Sequence, residues 1–255
     1  MTALAICCHP DDMELMMAGT LLLLKDRGWE IHTINVANGS VGSAEIPPDR
    51  LIETRRRESE DSARLLGSVL HPSLVNDMEV FYTQDLIRRV TALVREVTPD
   101  IVLTQSLEDY MEDHMNAARV AVTATFSRNI PFFPSLPEVP AVFEDVMLYH
   151  ATPHILTDGM RRPIEPELFV DISGVLDRKE RMLACHRSQK EWLDRSQGFD
   201  SYLRAMRDIA GKVGKMSATF AAAEGWRRHS HVGFSREDGN PLADALRDCS
   251  LVVSR

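Results

Sequence analysis

Short apolar runs alternate with stretches of helical periodicity along most of the chain. Residues 3–8 (ALAICC) are apolar and stop at a turn, which predicts a strand buried on both faces of a sheet. Residues 13–27 carry apolar positions at helical spacing, and Gly28 follows where glycine commonly ends a helix. The same pattern predicts strands at 30–37, 69–75, 101–104, 146–150 and 168–171, and helices at 49–66, 83–97 and 174–191.

This order of elements predicts an α/β fold. Strands that alternate with helices at intervals of roughly 30 residues form right-handed βαβ units and a parallel sheet. We expect a single domain, 1–255, with a doubly wound, mostly parallel sheet of strand order 3-2-1-4-5. Its core is expected to span residues 1–190, followed by a helical C-terminal extension, 191–255.

Three further segments have a distinctive pattern. Residues 199–225 read as helical. Residues 38–43 (NGSVGS) predict a flexible loop, and the proline-rich residues 130–140 (IPFFPSLPEVP) predict an ordered loop or a lid.

Composition narrows the classes of partner. The chain has 255 residues, of which 44% are hydrophobic and 26% charged, as in ordinary globular proteins. Its formal net charge of −9 argues against a nucleic acid or an anionic membrane as the main partner and favours a small molecule or another protein. No leader-like segment precedes the first predicted strand, and no apolar run reaches the ~18 residues of a membrane helix.

The four cysteines show no CxxC spacing. Cys7 and Cys8 lie within the first apolar run, so we expect them to be reduced core residues, with metal ligation as the alternative. Together with the lack of a leader, this predicts a cytoplasmic protein.

The candidate chemistry follows two strands. His9, Asp11 and Asp12 come directly after the first strand, and the acidic segment 105–114 (QSLEDYMEDH) follows the fourth. In the expected strand order these two strands are neighbours, and ligands bind beyond the carboxyl ends of strands where the order reverses. The two loops are therefore expected to face each other.

Two histidines and a carboxylate form a common three-residue catalytic zinc site that leaves a position open for water. His9, Asp12 and His114 would supply these groups, and Asp11 would stand beside the metal-bound water as a base. Each motif alone has a simpler interpretation. A Pro-Asp pair is ordinary turn chemistry, and Asp12 alone would serve as a helix cap.

With both loops in view, the chain resembles the PIG-L/LmbE family of metal-dependent N-deacetylases. The resemblance rests on HPDDMEL, ANGSVGS, ETRRRESEDSARLLG, DYMEDH and DRKERMLACHRSQ, with a weaker match at AEGWR. It implies a Rossmann-like fold, a bound Zn²⁺ (or Fe²⁺ or another divalent metal), and removal of an acyl group from an N-acetylglucosamine-type sugar or a related small amide. Family members often assemble into rings, so a homo-oligomer is also implied.

The resemblance carries roles onto individual positions. It implies that the metal ligands are His9, Asp12 and His114 and that Asp11 is the general base. It implies substrate contacts for Arg55, Asp77 and Asp109, although Asp77 reads equally well as a turn residue. Of the late HRSQ segment, His186 is expected to support the walls of the site.

One departure from the family pattern concerns Met111. The second family motif commonly reads DYHPDH, and its first histidine is thought to stabilise the tetrahedral intermediate, which a thioether cannot do. Tyr110, or a histidine of the C-terminal region such as His229 or His231, would have to replace it. We therefore assign Tyr110 a catalytic role.

Two other functions compete with the deacetylase. A catalytically weakened, metal-bearing sugar-binding protein would explain Met111. A nucleotide-binding Rossmann protein is disfavoured, because the first strand leads into HPDD, where phosphates would meet carboxylates instead of a glycine-rich turn.

Overall fold

The computed structural model describes residues 1–197 and 202–253, which contain one mixed eight-stranded sheet. Its strands are β1 (Thr2–Cys7), β2 (Glu30–Asn35), β3 (Val69–His71), β4 (Ile101–Thr104), β5 (Met147–Ala151), β6 (Leu168–Asp171), β7 (Ala223–Arg228) and β8 (Ser250–Val252). They lie in the order β3-β2-β1-β4-β5-β7-β6-β8. The first five are parallel, as the sequence predicted, and the remaining pairings are antiparallel.

Helices pack against both faces of this sheet. They are α1 (Asp12–Met16), α2 (Ala18–Asp26), α3 (Pro48–Leu66), α4 (Gln84–Val97), α5 (Glu112–Ser127), α6 (Leu176–Leu183), α7 (Arg187–Gln197), α8 (Tyr202–Met216) and α9 (Pro241–Ala245). One apolar core lies between the sheet and α1, α2, α6 and α8, and a second lies beneath α4 and α5. None of the helices in the described residues is long and apolar enough to span a membrane.

The central strand β1 contributes to both cores. Ala3, Ala5 and Cys7 belong to the first, whereas Leu4, Ile6 and Cys8 belong to the second. Both faces of the strand are therefore buried, which accounts for its uninterrupted apolar run.

Two predicted helices are each divided in the structure. The predicted helix 13–27 is interrupted at Met17, where α2 begins afresh because the buried Glu224 carboxylate accepts the backbone N–H groups of Gly19 and Thr20 at 2.8 and 2.7 Å. The predicted helix 174–191 is a short 3₁₀ turn followed by α6 and α7, with the buried His186 between the last two. In the first case the buried side chain that ends the helical pattern is distant in the sequence, and in the second it lies within the segment itself.

The prediction of a helical C-terminal extension is wrong in part, because the extension also contains strands. Helix α8 accounts for much of 199–225, of which residues 199–201 lie outside the described residues, but the segment from Ala223 onward forms β7. This strand inserts between β5 and β6 and places Trp226 in the core. The extension thus completes the sheet.

Helix α5 was not predicted from the sequence. Its buried face includes the polar residues Asp113 and His114 and its outer face carries the apolar Phe126, so the hydrophobic pattern of the helix is weak. It follows β4 and carries His114 in its first turn. Since β1, β4 and β5 are adjacent and parallel, the loops after all three open at one edge of the sheet.

Candidate metal centre and active site

The loop after β1 directs two neighbouring carboxylates towards different partners. Asp11 has a φ of 103°, in the left-handed region that is costly for a residue other than glycine and recurs at functional turns. The backbone N–H of His9 donates to Oδ2 of Asp12 at 2.7 Å, which folds the loop back on itself. Asp12 consequently faces His114, whereas Asp11 faces Arg55.

His114 reaches the same point from α5. Its imidazole centroid lies 5.3 Å from that of His9. The expectation that the loops after the first and fourth strands face each other is confirmed.

His9, Asp12 and His114 form a compact set of metal-binding atoms. One ligand atom from each lies within 4.8 Å of the other two, and all three residues are buried. Nδ1 of His9 lies 3.4 Å from Asp12 Oδ2, and Nε2 of His114 lies 3.4 Å from Asp12 Oδ1. Burial opposes ionisation of Asp12, but His114 and His9 hold its pKa well below the usual range. This donor set fits a divalent cation such as zinc.

Each imidazole of this set is backed by a second carboxylate. Nε2 of His9 lies 3.2 Å from Asp113 Oδ2, and Nδ1 of His114 lies 3.3 Å from Asp109 Oδ1. Metal-binding histidines commonly present their other nitrogen to a carboxylate, which fixes the tautomer and the ring orientation. The arrangement leaves Nδ1 of His9 and Nε2 of His114 facing Asp12.

Asp109 does not line the cavity described below. Its carboxylate is fully buried beside His114 and accepts the backbone N–H groups of Tyr110 and Met111 at 2.6 and 3.2 Å. These contacts suit a residue that orients His114. They do not support the substrate contact that the resemblance implies for Asp109. Sequence reasoning overlooked Asp113, although it directly precedes His114.

A second possible ligand group, Cys8, His9 and Asp113, shares one histidine with the first. Burial raises the pKa of the Cys8 thiol to about 12, and the thiolate is the form that binds metals. Neither Cys8 nor Asp113 lines the cavity. These observations favour the set that contains Asp12 and His114.

Asp11 is a buried carboxylate beside this centre. Its Oδ2 accepts a hydrogen bond from the Tyr202 hydroxyl, and its Oδ1 lies 3.8 Å from an Arg55 guanidinium nitrogen. Burial raises the pKa of Asp11 to about 6, because desolvation outweighs the opposing effects of Arg55 and Tyr202. A carboxylate whose pKa lies near neutrality is suited to general base catalysis.

Arg55 is enclosed by the loop of residues 38–43. Its guanidinium donates to the carbonyl oxygen of Pro10 at 2.8 Å. A Cβ atom at Gly39, where φ is 81°, would lie 2.4 Å from Arg55 Cδ, and one at Gly42 would lie 2.8 Å from Nη1. Both glycines of this motif are therefore needed for the close approach of the loop to the arginine.

Asp77 fixes the same loop. Its carboxylate accepts the backbone N–H of Gly39 at 2.6 Å and that of Val41 at 3.5 Å, and it lies 3.9 Å from Arg55. The loop predicted to be flexible is thus tied to the site by hydrogen bonds. Asp77 shapes a turn, which is one of the two roles expected for it; it also lines the cavity, and its substrate contact stays a prediction.

The site opens into a cavity of about 350 Å³. The expected site residues that line it are His9, Asp11, Asp12, Arg55, Asp77, Tyr110 and His114. Apolar side chains complete the wall, namely Leu15, Val41, Met78, Met111, Trp192, Leu193, Ala205 and Ile209. One region of the cavity is therefore charged and the rest is largely apolar.

Behind the cavity, a buried polar network joins α1, α3 and α7. His186 Nε2 lies 3.1 Å from Glu14 Oε1, which also accepts the hydroxyl of Ser62. Glu58 accepts the backbone N–H and hydroxyl of Ser188 at 2.9 and 2.6 Å. His186 lies outside the cavity lining, as expected of a supporting residue.

Two cavity residues, His154 and Tyr202, were missed from the sequence. His154 lies in the loop after β5, and Tyr202 begins α8, so neither belongs to the two loops from which the site was predicted.

The histidines considered as replacements for the missing one at Met111 lie outside the cavity lining. His229 contacts His150 at 3.0 Å, and His231 lies 3.5 Å from Asp238. Residues 130–140 also contribute nothing to the lining, so a lid role is not supported.

Comparison with known proteins identifies similar chains. The diacetylchitobiose deacetylase of Thermococcus kodakarensis is 30% identical over 216 residues, which cover 82% of this chain and 76% of the relative. In structure, the diacetylchitobiose deacetylase of Pyrococcus horikoshii matches with a TM-score of 0.74 and 25% identity, covering 94% of this chain and 88% of that one. The 4-carboxy-2-hydroxymuconate hydratase of Pseudomonas putida KT2440 matches with a TM-score of 0.76 and 21% identity, covering 94% and 98%.

A family model described as "PIG-L: GlcNAc-PI de-N-acetylase" matches residues 4–125, the part of the chain that holds His9, Asp11, Asp12 and His114. The first relative extends the similarity well beyond this segment. The chain belongs to the PIG-L family.

Proposed function

We propose that this protein is a metal-dependent amidohydrolase that removes the acyl group from an N-acetylated amino sugar or a related small amide. One observation carries the proposal. The buried carboxylate of Asp11 stands directly beside the converging ligand atoms of His9, Asp12 and His114, and all four residues face one cavity.

In this proposal His9, Asp12 and His114 hold a divalent cation, Zn²⁺ or alternatively Fe²⁺. The cation would supply Lewis acidity, which lowers the pKa of a bound water. Asp11 takes the proton of the attacking water and returns it to the amine nitrogen as the C–N bond breaks. Arg55 and Tyr202 hold the Asp11 carboxylate in position, since Arg55 lies 3.8 Å from Oδ1 and the Tyr202 hydroxyl donates to Oδ2.

The residues around Asp11 are suited to a polar, uncharged substrate. Arg55 is flanked by Asp11 at 3.8 Å and by Asp77 at 3.9 Å, so its charge is already compensated. Asp77 and Tyr110 offer hydrogen-bonding groups at the cavity wall for sugar hydroxyls. The similarity to two diacetylchitobiose deacetylases supports an N-acetylated amino sugar as the substrate class.

A hydratase is the second candidate, because the P. putida hydratase has a similar fold. Such an enzyme also uses an activated water. The charges of the cavity argue against a substrate with several carboxylates, because Arg55 is the single lysine or arginine that lines the described cavity. Asp11, Asp12 and Asp77 share that lining, so three carboxylates offset the charges of Arg55 and of a bound divalent cation, and the cavity would offer such a substrate no net positive charge.

The test combines metal analysis with hydrolysis assays. Purified protein should contain about one divalent metal per chain, and it should release acetate from diacetylchitobiose or N-acetylglucosamine. His9→Ala and His114→Ala should lose the metal and the activity together. Asp11→Asn should retain the metal and lose hydrolysis, whereas His231→Ala, outside the cavity, should behave as wild type.

Three outcomes would refute the proposal. A hydrolytically active Asp11→Asn protein would exclude the assigned base. A metal-loaded wild type that binds these sugars without hydrolysing them would identify the weakened, sugar-binding alternative. Turnover of a conjugated carboxylic acid, with no release of acetate from any amide, would identify a hydratase.

A further inference from the structure

Hydrolysis of an amide is accelerated by a group that Asp11 and the proposed metal ligands do not supply. When water adds to the carbonyl carbon, negative charge develops on the carbonyl oxygen, and a fixed N–H or O–H donor at that position accelerates the reaction. The donor must face the cavity and must not be engaged in another hydrogen bond. Met111 lines the cavity near the metal ligands, but its thioether cannot donate.

Four side chains of the cavity that carry donor groups already have other partners. The His9 and His114 imidazoles have Asp12 on one side and a second carboxylate on the other. Arg55 donates to Pro10, and Tyr202 donates to Asp11. These groups bind the metal or orient the base, so they are not available for the carbonyl oxygen.

His154 is a cavity histidine without such a commitment. Within residues 1–197 and 202–253, its imidazole makes ring contact with Tyr110 and no hydrogen bond. The two ring centroids lie 5.0 Å apart at 82°, and Tyr110 in turn meets His114 edge-on at 5.6 Å and 84°. A row of three rings thus leads from His154 to a metal ligand.

The backbone holds His154 in this position. β5 lies beside β4 in the sheet, so its loop opens at the edge where His114 lies. The N–H of Thr152 donates to Gly225 at 2.9 Å, and that of Leu156 donates to Pro153 at 2.8 Å, which fixes the chain on both sides of the histidine. The loop is therefore anchored to β7 at its base.

We propose, on the basis of the function proposed above, that His154 is a catalytic residue whose ring N–H donates a hydrogen bond to the substrate's carbonyl oxygen. The water oxygen bonds to the carbonyl carbon, and the π electrons of the carbonyl move onto the carbonyl oxygen. Asp11 takes the water proton. The carbonyl then re-forms, the C–N bond breaks, and the amine leaves with the proton from Asp11. His154 loses no proton in this sequence, and Tyr110 orients its ring.

Two variants separate hydrogen bonding from ring packing. His154→Phe keeps an aromatic ring against Tyr110 but has no donor, whereas His154→Gln keeps an N–H donor. We expect His154→Phe to lower kcat for deacetylation of diacetylchitobiose by about 10²–10³-fold. KM and metal content should stay close to wild type, and His154→Gln should retain roughly tenfold more activity than His154→Phe.

The controls separate this assignment from the proposed function. A wild type that deacetylates the substrate, an inactive Asp11→Asn and an unimpaired His154→Phe would together overturn the role of His154 alone. Loss of metal from His154→Phe, or equal losses in the two His154 variants, would also overturn it. An inactive, metal-loaded wild type would overturn the proposed function as well.

Discussion

The hydroxyl of Tyr202 donates a hydrogen bond to Oδ2 of Asp11, although 191 positions separate the two residues in the sequence. Tyr202 is buried, and it reaches the site from the first residue of α8. The C-terminal region therefore supplies a contact to the proposed base. Asp11 is held from two sides, by this hydroxyl and by Arg55.

Tyr202→Phe should lower kcat about tenfold without loss of metal. The substitution removes one hydrogen bond to a charged group, which is typically worth ~1.5–3 kcal/mol, and leaves the ring in place. Steady-state assays and metal analysis check the result. Tyr82→Phe is the matched control, because the half-exposed Tyr82 lies outside the cavity lining. An unchanged kcat in Tyr202→Phe would show that Arg55 alone suffices to orient Asp11.

Asp109→Asn should weaken metal binding about 10–100-fold, as expected when the carboxylate behind a metal-binding histidine is lost. The amide oxygen still accepts the backbone N–H of Tyr110, so the loop should keep its structure. Competition with a chromogenic Zn²⁺ chelator measures the affinity. Glu112→Gln is the control, since Glu112 is exposed and lies three positions after Asp109, in the first turn of α5. Equal affinities in the two variants would contradict the supporting role of Asp109.

Glu224→Gln should lower the free energy of unfolding by about 3–5 kcal/mol, because it leaves a buried charge without its partner. The Glu224 carboxylate lies 2.6 Å from the Lys179 ammonium, and both side chains are almost fully buried. It also accepts the first N–H groups of α2. Urea denaturation gives the value.

Asp248→Asn provides the comparison for Glu224. Asp248 pairs with Arg27 at the surface, and the Asp248 side chain is 70% exposed. The change should leave the free energy of unfolding close to the wild-type value, since solvent screens exposed ion pairs. Similar losses in the two variants would mean that the Lys179–Glu224 pair does not stabilise the junction of β7 and α2.

His150 should make the folded protein sensitive to acid. Its Nδ1 lies 2.8 Å from the carbonyl oxygen of Gln105 and must carry a proton, so Nε2 accepts from Nδ1 of His229 at 3.0 Å. Burial lowers the pKa of His150 to about 4, whereas an unfolded histidine titrates near ~6.5. The native state therefore binds fewer protons than the unfolded state between these values.

The free energy of unfolding should consequently fall as the pH drops from about 6.5 to about 4, by up to roughly 3 kcal/mol from this residue. Urea denaturation at about pH 7 and about pH 4.5, in wild type and in His150→Gln, isolates the contribution. The variant should lose less stability between the two pH values. Parallel losses in both proteins would rule out His150 as the source.

Local patterns in the sequence were sufficient for the parallel half of the sheet and for the candidate metal ligands. A strand buried on both faces reads as an apolar run, as the residues of β1 do, and a C′ glycine such as Gly67 marks a helix end. His9, Asp12 and His114 were identifiable because they belong to the segments that follow β1 and β4, and neighbouring parallel strands bring their ends together.

The tertiary structure alone decided the contacts between distant segments. Glu224 interrupts a helix about 200 residues earlier in the chain, Tyr202 contacts Asp11, and His154 meets Tyr110. None of these pairs has a local signature, because periodicity records which face of a segment is buried and not which partner buries it. The sequence by itself determined the candidate ligand set, whereas packing across the sheet decided which side chains contact the proposed base and line the cavity.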